Sequence, residues 1–205
     1  MSSHAAFAAA LAAALLLPAA ASHAACVSCP GDPLNDFEAG RYIFVSEADD
    51  ATAVFINPAG LAQSRKPNLF WDLSASRDID HVSFAAQLGG LGLGYRHRDL
   101  DTGEPGGKNL DTYTVGLGFG PRVFRLGIQG AWTTTDLPGD NAGSLWAGFQ
   151  SRLHRRFSVG VAVRNANQPH FLTSRARPQY QAALSLRPFP VAEEFTLSGQ
   201  VTLAD

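Results

Sequence analysis

Charge is scarce in this 205-residue chain: Asp, Glu, Lys and Arg make up 17% of it, where a water-soluble domain carries about a quarter. The 16 basic and 18 acidic side chains give a formal net charge of −2, so the basic surplus of a nucleic-acid-binding surface is missing. Cysteine is nearly absent. Cys26 and Cys29 are the whole complement, too few for a disulfide scaffold or for a closed zinc site. His81, His97, His154 and His170 are scattered without metal-ligand spacing, so neither a metal nor a cofactor is expected. There is no G-x-S-x-G, no P-loop and no His-Glu-x-x-His, and no enzyme is expected. Downstream of the N-terminus no run approaches the ~20 continuous apolar residues of a spanning helix.

What is present is apolar and small. Hydrophobic residues reach 45%, aromatics 10%, and glycine 20 copies, a composition suited to a surface that meets lipid. Phe7 opens an Ala/Leu-rich stretch that ends at Ser22-His23-Ala24, small residues of the kind a signal peptidase reads. Residues 1–24 are therefore expected to be a signal peptide, although only His4 and the terminal amine supply positive charge ahead of the run. Directly after it, the Cys26-x-x-Cys29 pair is expected to close a small disulfide in an oxidising compartment. Lipid attachment at Cys26 is the alternative, against which His23 stands where an apolar residue is needed.

From Leu69 onward the hydrophobic period is two, the strand period. Val82, Phe84, Ala86 and Leu88 share one face; Tyr113, Val115, Leu117 and Phe119 share another; Phe157, Val159, Val161 and Val163 a third. The pattern predicts about nine strands, at 69–76, 81–89, 91–99, 110–120, 123–135, 144–153, 157–165, 178–187 and 194–203. Opposite the apolar rows stand Gly, Ser, Thr and Gln with an occasional Arg, which suits a barrel lumen better than a watery surface. Link lengths agree. Gly89-Gly90, Gly120-Pro121-Arg122 and His154-Arg155-Arg156 are short, and the intervening links are longer, as periplasmic turns and outer loops are in outer-membrane barrels. Phe119, Phe124, Phe157 and Phe195 fall at the short-turn ends, and Tyr95, Tyr113, Trp132 and Tyr180 toward the long loops, giving two interfacial girdles.

The expected fold is thus an all-β, antiparallel, up-and-down transmembrane barrel over residues 67–205. A ninth strand running outward leaves an odd count and an unpaired edge, so the barrel is expected to be incomplete. Within it, Arg96, Arg98, Arg125, Arg164 and Arg187 are expected to face the lumen. They are read as pairing with Glu194 and with Glu47, Asp49 or Asp50, because interior charges in membranes pair; binding of an anionic amphiphile is the competing reading.

Residues 49–62 read DDATAVFINPAGLA. This string resembles the N-terminal signature of the FadL-like and PorV-like outer-membrane barrels. An acidic pair, Asp49 and Asp50, leads through an apolar stretch to Asn57-Pro58-Ala59-Gly60-Leu61. The resemblance implies that residues 25–66 form an N-terminal hatch inside the barrel, around Asn57, Pro58, Ala59 and Gly60. The prelude Glu38-Ala39-Gly40-Arg41 departs from the glycine-rich string usual in the fatty-acid transporter branch. Locally, Asp49 or Asp50 is expected to cap a helical turn, Pro58 to force Asn57 out of it, and Gly60 to adopt positive φ. The structural reading of Asn57 is a side chain that only holds the turn.

The resemblance implies outer-membrane transport of hydrophobic compounds, or support of export, with membrane lipid and a hydrophobic or amphiphilic small molecule as partners. Two other readings stand beside it: a non-transporting barrel that anchors a larger protein, such as a signal-peptide-peptidase-like protease fusion, and a soluble periplasmic β-sandwich.

Overall fold

Strict alternation gives each strand one apolar face and one small or polar face, and antiparallel pairing aligns like faces across the sheet. The computed structural model describes residues 44–75, 79–100, 108–121, 123–136, 141–154, 156–171, 174–187 and 196–204. The signal segment, Cys26, Cys29, Glu194 and Phe195 lie outside them. The strands are β1 (Asn68–Ala75), β2 (Ile79–Leu88), β3 (Leu91–Leu100), β4 (Lys108–Phe119), β5 (Phe124–Thr135) and β6 (Ala142–His154). They continue with β7 (Phe157–Arg164), β8 (His170–Phe171), β9 (Ser174–Arg175), β10 (Gln179–Leu186) and β11 (Leu197–Ala204).

Nine strands form one antiparallel sheet in the order β1-β2-β3-β4-β5-β6-β7-β10-β11, the expected meander. Strands β8 and β9 make a separate two-residue ladder between β7 and β10 that alternation did not reveal. Strand ends match the expected spans closely; the last strand starts at Leu197, later than the expected 194. The sheet is not closed. Strands β1 and β11 are its two edges, and after eight antiparallel steps they run in the same direction. A β-sandwich is excluded for the described residues, because all nine long strands share a single sheet.

Burial is inverted relative to a water-soluble sheet. The large apolar side chains are exposed, with Trp71 at 80%, Ile128 at 56% and Leu117 at 49%. The buried row is polar or small: Ser83, Gln87, Thr114, Gln129, Gln150, Ser158, Arg164 and Ser185. Their burial has a cause. Residues 44–63 lie against the concave face of the sheet as a hatch made of helix α1 (Ala53–Ile56) and a 3-10 turn (Pro58–Ala62). Val45, Ala48, Ala51, Ala53, Val54, Phe55, Ile56 and Leu61 pack with wall residues Ala85, Ala162 and Ala183 into the one large apolar core, with Phe70 of β1 against it.

The wall is glycine where the hatch backbone touches it. A Cβ at Gly118 would sit 2.6 Å from the Ala62 nitrogen and 2.7 Å from the Pro58 carbonyl oxygen. At Gly127 and Gly160 it would overlap the backbone of Pro58 and of Val45. The β2–β3 link needs glycine for a different reason. Gly89 and Gly90 both hold positive φ, 59° and 113°, as tight two-residue hairpins require.

Two local expectations are corrected. The helix begins at Ala53, its N-cap is Thr52, and no side chain caps it. Asp50 instead accepts the Thr52 backbone N–H at 2.8 Å, a local turn of the kind Asp forms with the backbone two residues on. Gly60 is not among the positive-φ residues. Its glycine is required because a Cβ would overlap the Ala48 carbonyl.

Candidate functional site

The hatch and the wall that grips it form the most elaborate polar arrangement among the described residues. Asn57 is fully buried. Its Nδ2 donates to the Val45 carbonyl at 2.7 Å and to the Phe149 carbonyl of β6 at 3.0 Å, while Oδ1 accepts the Ala59 N–H at 3.1 Å. One side chain thus closes the turn, ties it to the start of the hatch and fastens both to the wall. Gly148 leaves room for it, since a Cβ there would overlap Asn57 Oδ1. Pro58 stands in the first turn of the 3-10 segment, where its missing N–H costs nothing.

Hatch carbonyls left without helical partners are met by inward-facing amides, as buried backbone acceptors require. Gln150 Nε2 donates to Ser46 O at 2.9 Å and Ala48 O at 3.1 Å, and Gln87 Nε2 to Leu61 O at 2.7 Å. Acids at the beginning of the hatch are paired. Glu47 accepts from Arg187 and Ser158, and Arg152 lies 3.8 Å from it. Asp49 accepts from Arg152 at 3.0 Å and from Gln63 at 3.1 Å, and Gln63 in turn accepts from Arg125.

The five arginines singled out in the sequence do not converge on one point. Arg125 and Arg187 hold the hatch at its two ends. Arg96 and Arg164 meet instead at Phe55: the Arg96 guanidinium lies 4.4 Å over the phenyl ring, and Arg164 Nη2 donates to the Phe55 carbonyl at 3.3 Å. Arg164 also stacks 4.7 Å over Trp146. Arg98 stands one inward position beyond Arg96, opposite His81 and Leu110.

Arg152, Gln150, Gln87 and Ser158 carry contacts that sequence reasoning did not assign. The glutamines and Ser158 had a signal, polar residues at inward positions. Arg152 had the same signal, since it keeps step with Gly148 and Gln150 on the inward row of β6, and the β6–β7 register shift comes only after Ser151.

Beyond the arginines, the segment joining β7 to β10 folds back onto the inner face. Asn165, at φ 52° and fully buried, accepts the Ser144 hydroxyl at 2.5 Å. Asn167 accepts the Leu145 N–H at 2.8 Å and donates to the Gly143 carbonyl at 2.7 Å, continuing the β6 ladder with a side chain. The β8–β9 hairpin then places Phe171, 3% exposed, against Leu110 and Ala142.

The chain matches no family model, no curated protein and no solved structure. Functional argument therefore rests on this geometry: an apolar belt outside, and inside a hatch gripped by polar side chains with a second, smaller apolar contact beyond it. On the outward face of the belt, at the long-loop end, Tyr95 and Tyr113 rings lie 5.3 Å apart and Asp111 accepts from the Tyr95 hydroxyl at 2.8 Å. Asp111 is a β4 residue. At the short-turn end Phe124 meets Phe149 edge-on at 5.1 Å.

Proposed function

We propose that this chain is an outer-membrane β-barrel protein of the FadL-like or PorV-like kind, without enzymatic activity, which handles hydrophobic compounds at the outer membrane. The observation that carries the membrane assignment is the inverted burial. Twenty-odd large apolar side chains, from Leu69 to Leu203, face outward while Gln129, Thr114 and Arg164 are buried; water would penalise that surface and hydrocarbon would not. Aromatic rings concentrated toward both ends of the strands fit the two interfaces. The inner-face feature that supports a hydrophobic compound is an aromatic residue flanked by guanidinium groups, Phe55 with Arg96 over its ring and Arg164 at its carbonyl.

Ile128 stands mid-strand in β5 and is exposed. Ile128→Arg should destabilise the lipid-inserted protein by about 2–4 kcal/mol, the cost of a cation near the bilayer midplane. Equilibrium unfolding from lipid vesicles measures it. An unchanged midpoint, or partition of the wild type into the aqueous phase without detergent, would overturn the membrane assignment. Uptake of a fluorescent hydrophobic probe into vesicles carrying the protein tests the transport half; uptake no greater than in protein-free vesicles would refute it.

A second reading, a barrel that anchors a larger assembly and transports nothing, is favoured by one specific observation. Residues 51–61 of the hatch are all buried, filling the concave side of the sheet. Under that reading the uptake experiment is negative while the Ile128→Arg penalty persists.

A further inference from the structure

We propose that the outward face of β3, β4 and β5, at the long-loop end, is a docking site for a sugar-headed lipid. Trp132 and Tyr113 lie under the sugar ring, Asp111 and His97 bond its hydroxyls, and a notch at Gly130 takes an acyl chain. The proposal rests on the membrane reading above, since only a belt that meets lipid can hold one.

Antiparallel register sets the outward side chains of neighbouring strands side by side, and here it makes three tiers. The tier nearest the long loops is polar, with His97, Asp111 and Thr134 opposite one another on β3, β4 and β5. The next is aromatic: Tyr95, Tyr113 and Trp132, ending at Gly143 of β6. The third is apolar, Leu93, Val115 and Leu145, interrupted by Gly130. Polar, aromatic, apolar is the order of an amphiphile that stands in the interface with its chain in the belt.

Each tier has chemistry to match. A Cβ on Gly143 would lie 3.6 Å from the six-membered ring of Trp132, so the indole rests on the β6 backbone, and it remains 54% exposed. Tyr113, also exposed, extends that surface. A sugar ring presents an apolar C–H face to such a surface and keeps its hydroxyls at the edge. The hydroxyls then need acceptors. Asp111 Oδ1 takes the Tyr95 hydroxyl at 2.8 Å and the His97 Nδ1–H at 2.9 Å, which fixes the carboxylate. Among the described residues nothing bonds Asp111 Oδ2 or His97 Nε2, and both side chains are partly exposed. With the proton on Nδ1, Nε2 is an acceptor. Two acceptors side by side suit the paired donors of adjacent sugar hydroxyls. A phosphate headgroup is a poor fit, because it brings negative charge to Asp111 and to exposed Asp136, which follows Thr134 toward the loop, whereas phosphate is held by cations. In the apolar tier a Cβ on Gly130 would meet nothing within 4 Å, while exposed Val115 and Leu145 stand on either side of it. The result is a groove one side chain wide, directly below Trp132 on the same strand.

Phosphatidylcholine vesicles containing equal mole fractions of a diacylglucosylglycerol and a phosphatidylglycerol, with matched chains, test the site. The protein is floated with the vesicles and extracted in mild detergent, and its retained lipids are quantified by mass spectrometry. The glucosyl lipid should be enriched about fivefold or more over each phospholipid, the effect of a net hydrogen bond or two. Asp111→Asn, Trp132→Ala and Gly130→Leu should each abolish most of that enrichment, and Leu117→Ala, on the same belt away from the site, should not. Equal retention of the lipids, preference for phosphatidylglycerol, or enrichment that survives all three substitutions overturns the proposal. The wild-type comparison decides even where a variant does not fold. Wild-type protein that fails to float overturns the membrane reading itself, whereas protein that floats without lipid preference overturns the site alone.

Discussion

The hatch and the outer hairpin both cover the concave side of the sheet, and they are fastened in opposite ways. The hatch buries eight apolar side chains in the main core and spreads its polar attachments over β2, β5, β6, β7, β10 and, through Val45 N–H to Gln200 at 3.1 Å, β11. Among its described residues the hairpin buries one large side chain, Phe171, in a cluster of three. The difference teaches that filling a lumen and closing it are separable tasks. A segment bonded mainly to the wall is a lining; one whose described bonds are mainly internal is a cover. Local opening free energies follow such contacts, since few buried apolar groups and few external bonds mean cheap opening.

The contrast can be broken most severely at Gly127. Gly127→Leu places a side chain where the Pro58 backbone lies, so the hatch must leave its seat. We expect a loss above about 4 kcal/mol, at the exceptional end for single substitutions, read as proteolysis of residues 44–63 in protein that still contains its strands. A smaller effect belongs to Asn57→Ala, which strands two carbonyls and one amide in the interior. The unfolding free energy should fall by about 1–3 kcal/mol, the penalty of one unsatisfied buried group, if the other two find partners on the wall. Asn57→Asp should be no better, because it restores the acceptor for Ala59 and aims an anion at two carbonyls.

Phe171→Ala should cost about 2 kcal/mol, the transfer free energy of one buried aromatic side chain, and the loss should be local. Exchange at Ala176 is expected to accelerate while the global midpoint moves little; a fall in the global midpoint equal to that of Asn57→Ala would erase the distinction between lining and cover. The smallest effect is reserved for a control. At Gly130 an added Cβ meets nothing within 4 Å, so Gly130→Ala should change stability by no more than about 0.5 kcal/mol, as substitutions away from contacts do. Together with Gly127→Leu it separates glycines that seat the hatch from glycines that do not.

Much of this was legible in residue order. Period two along nine segments was enough to place the strands, because side-chain direction in a strand is a local property. The same alternation correctly assigned the small residues to the inner face, and residues 49–62 announced a helical turn broken at Asn57-Pro58. Local chemistry was less readable where two geometries compete. Gly60 invites positive φ as readily as close packing, and only the position of Ala48 selects the second. Asp50 could cap a helix or form its own turn, and it does the second.

The sequence by itself determined that there would be an up-and-down antiparallel sheet, apolar on one face, with a hatch segment ahead of it. The sheet and its apolar face follow from periodicity and from turn residues acting over a few positions, while the hatch was what the resemblance of residues 49–62 implied. Only the tertiary structure decided that Arg152 would pair with Asp49, since the two lie 103 positions apart in the chain. It alone brought Arg96 and Arg164 to the same residue, Phe55, one to its ring and the other to its carbonyl, from β3 and β7. It alone laid Phe171 on Leu110 and Ala142, residues contributed by three separate segments. The curvature that brings those segments together is summed over the whole sheet, so no local window of residues contains it.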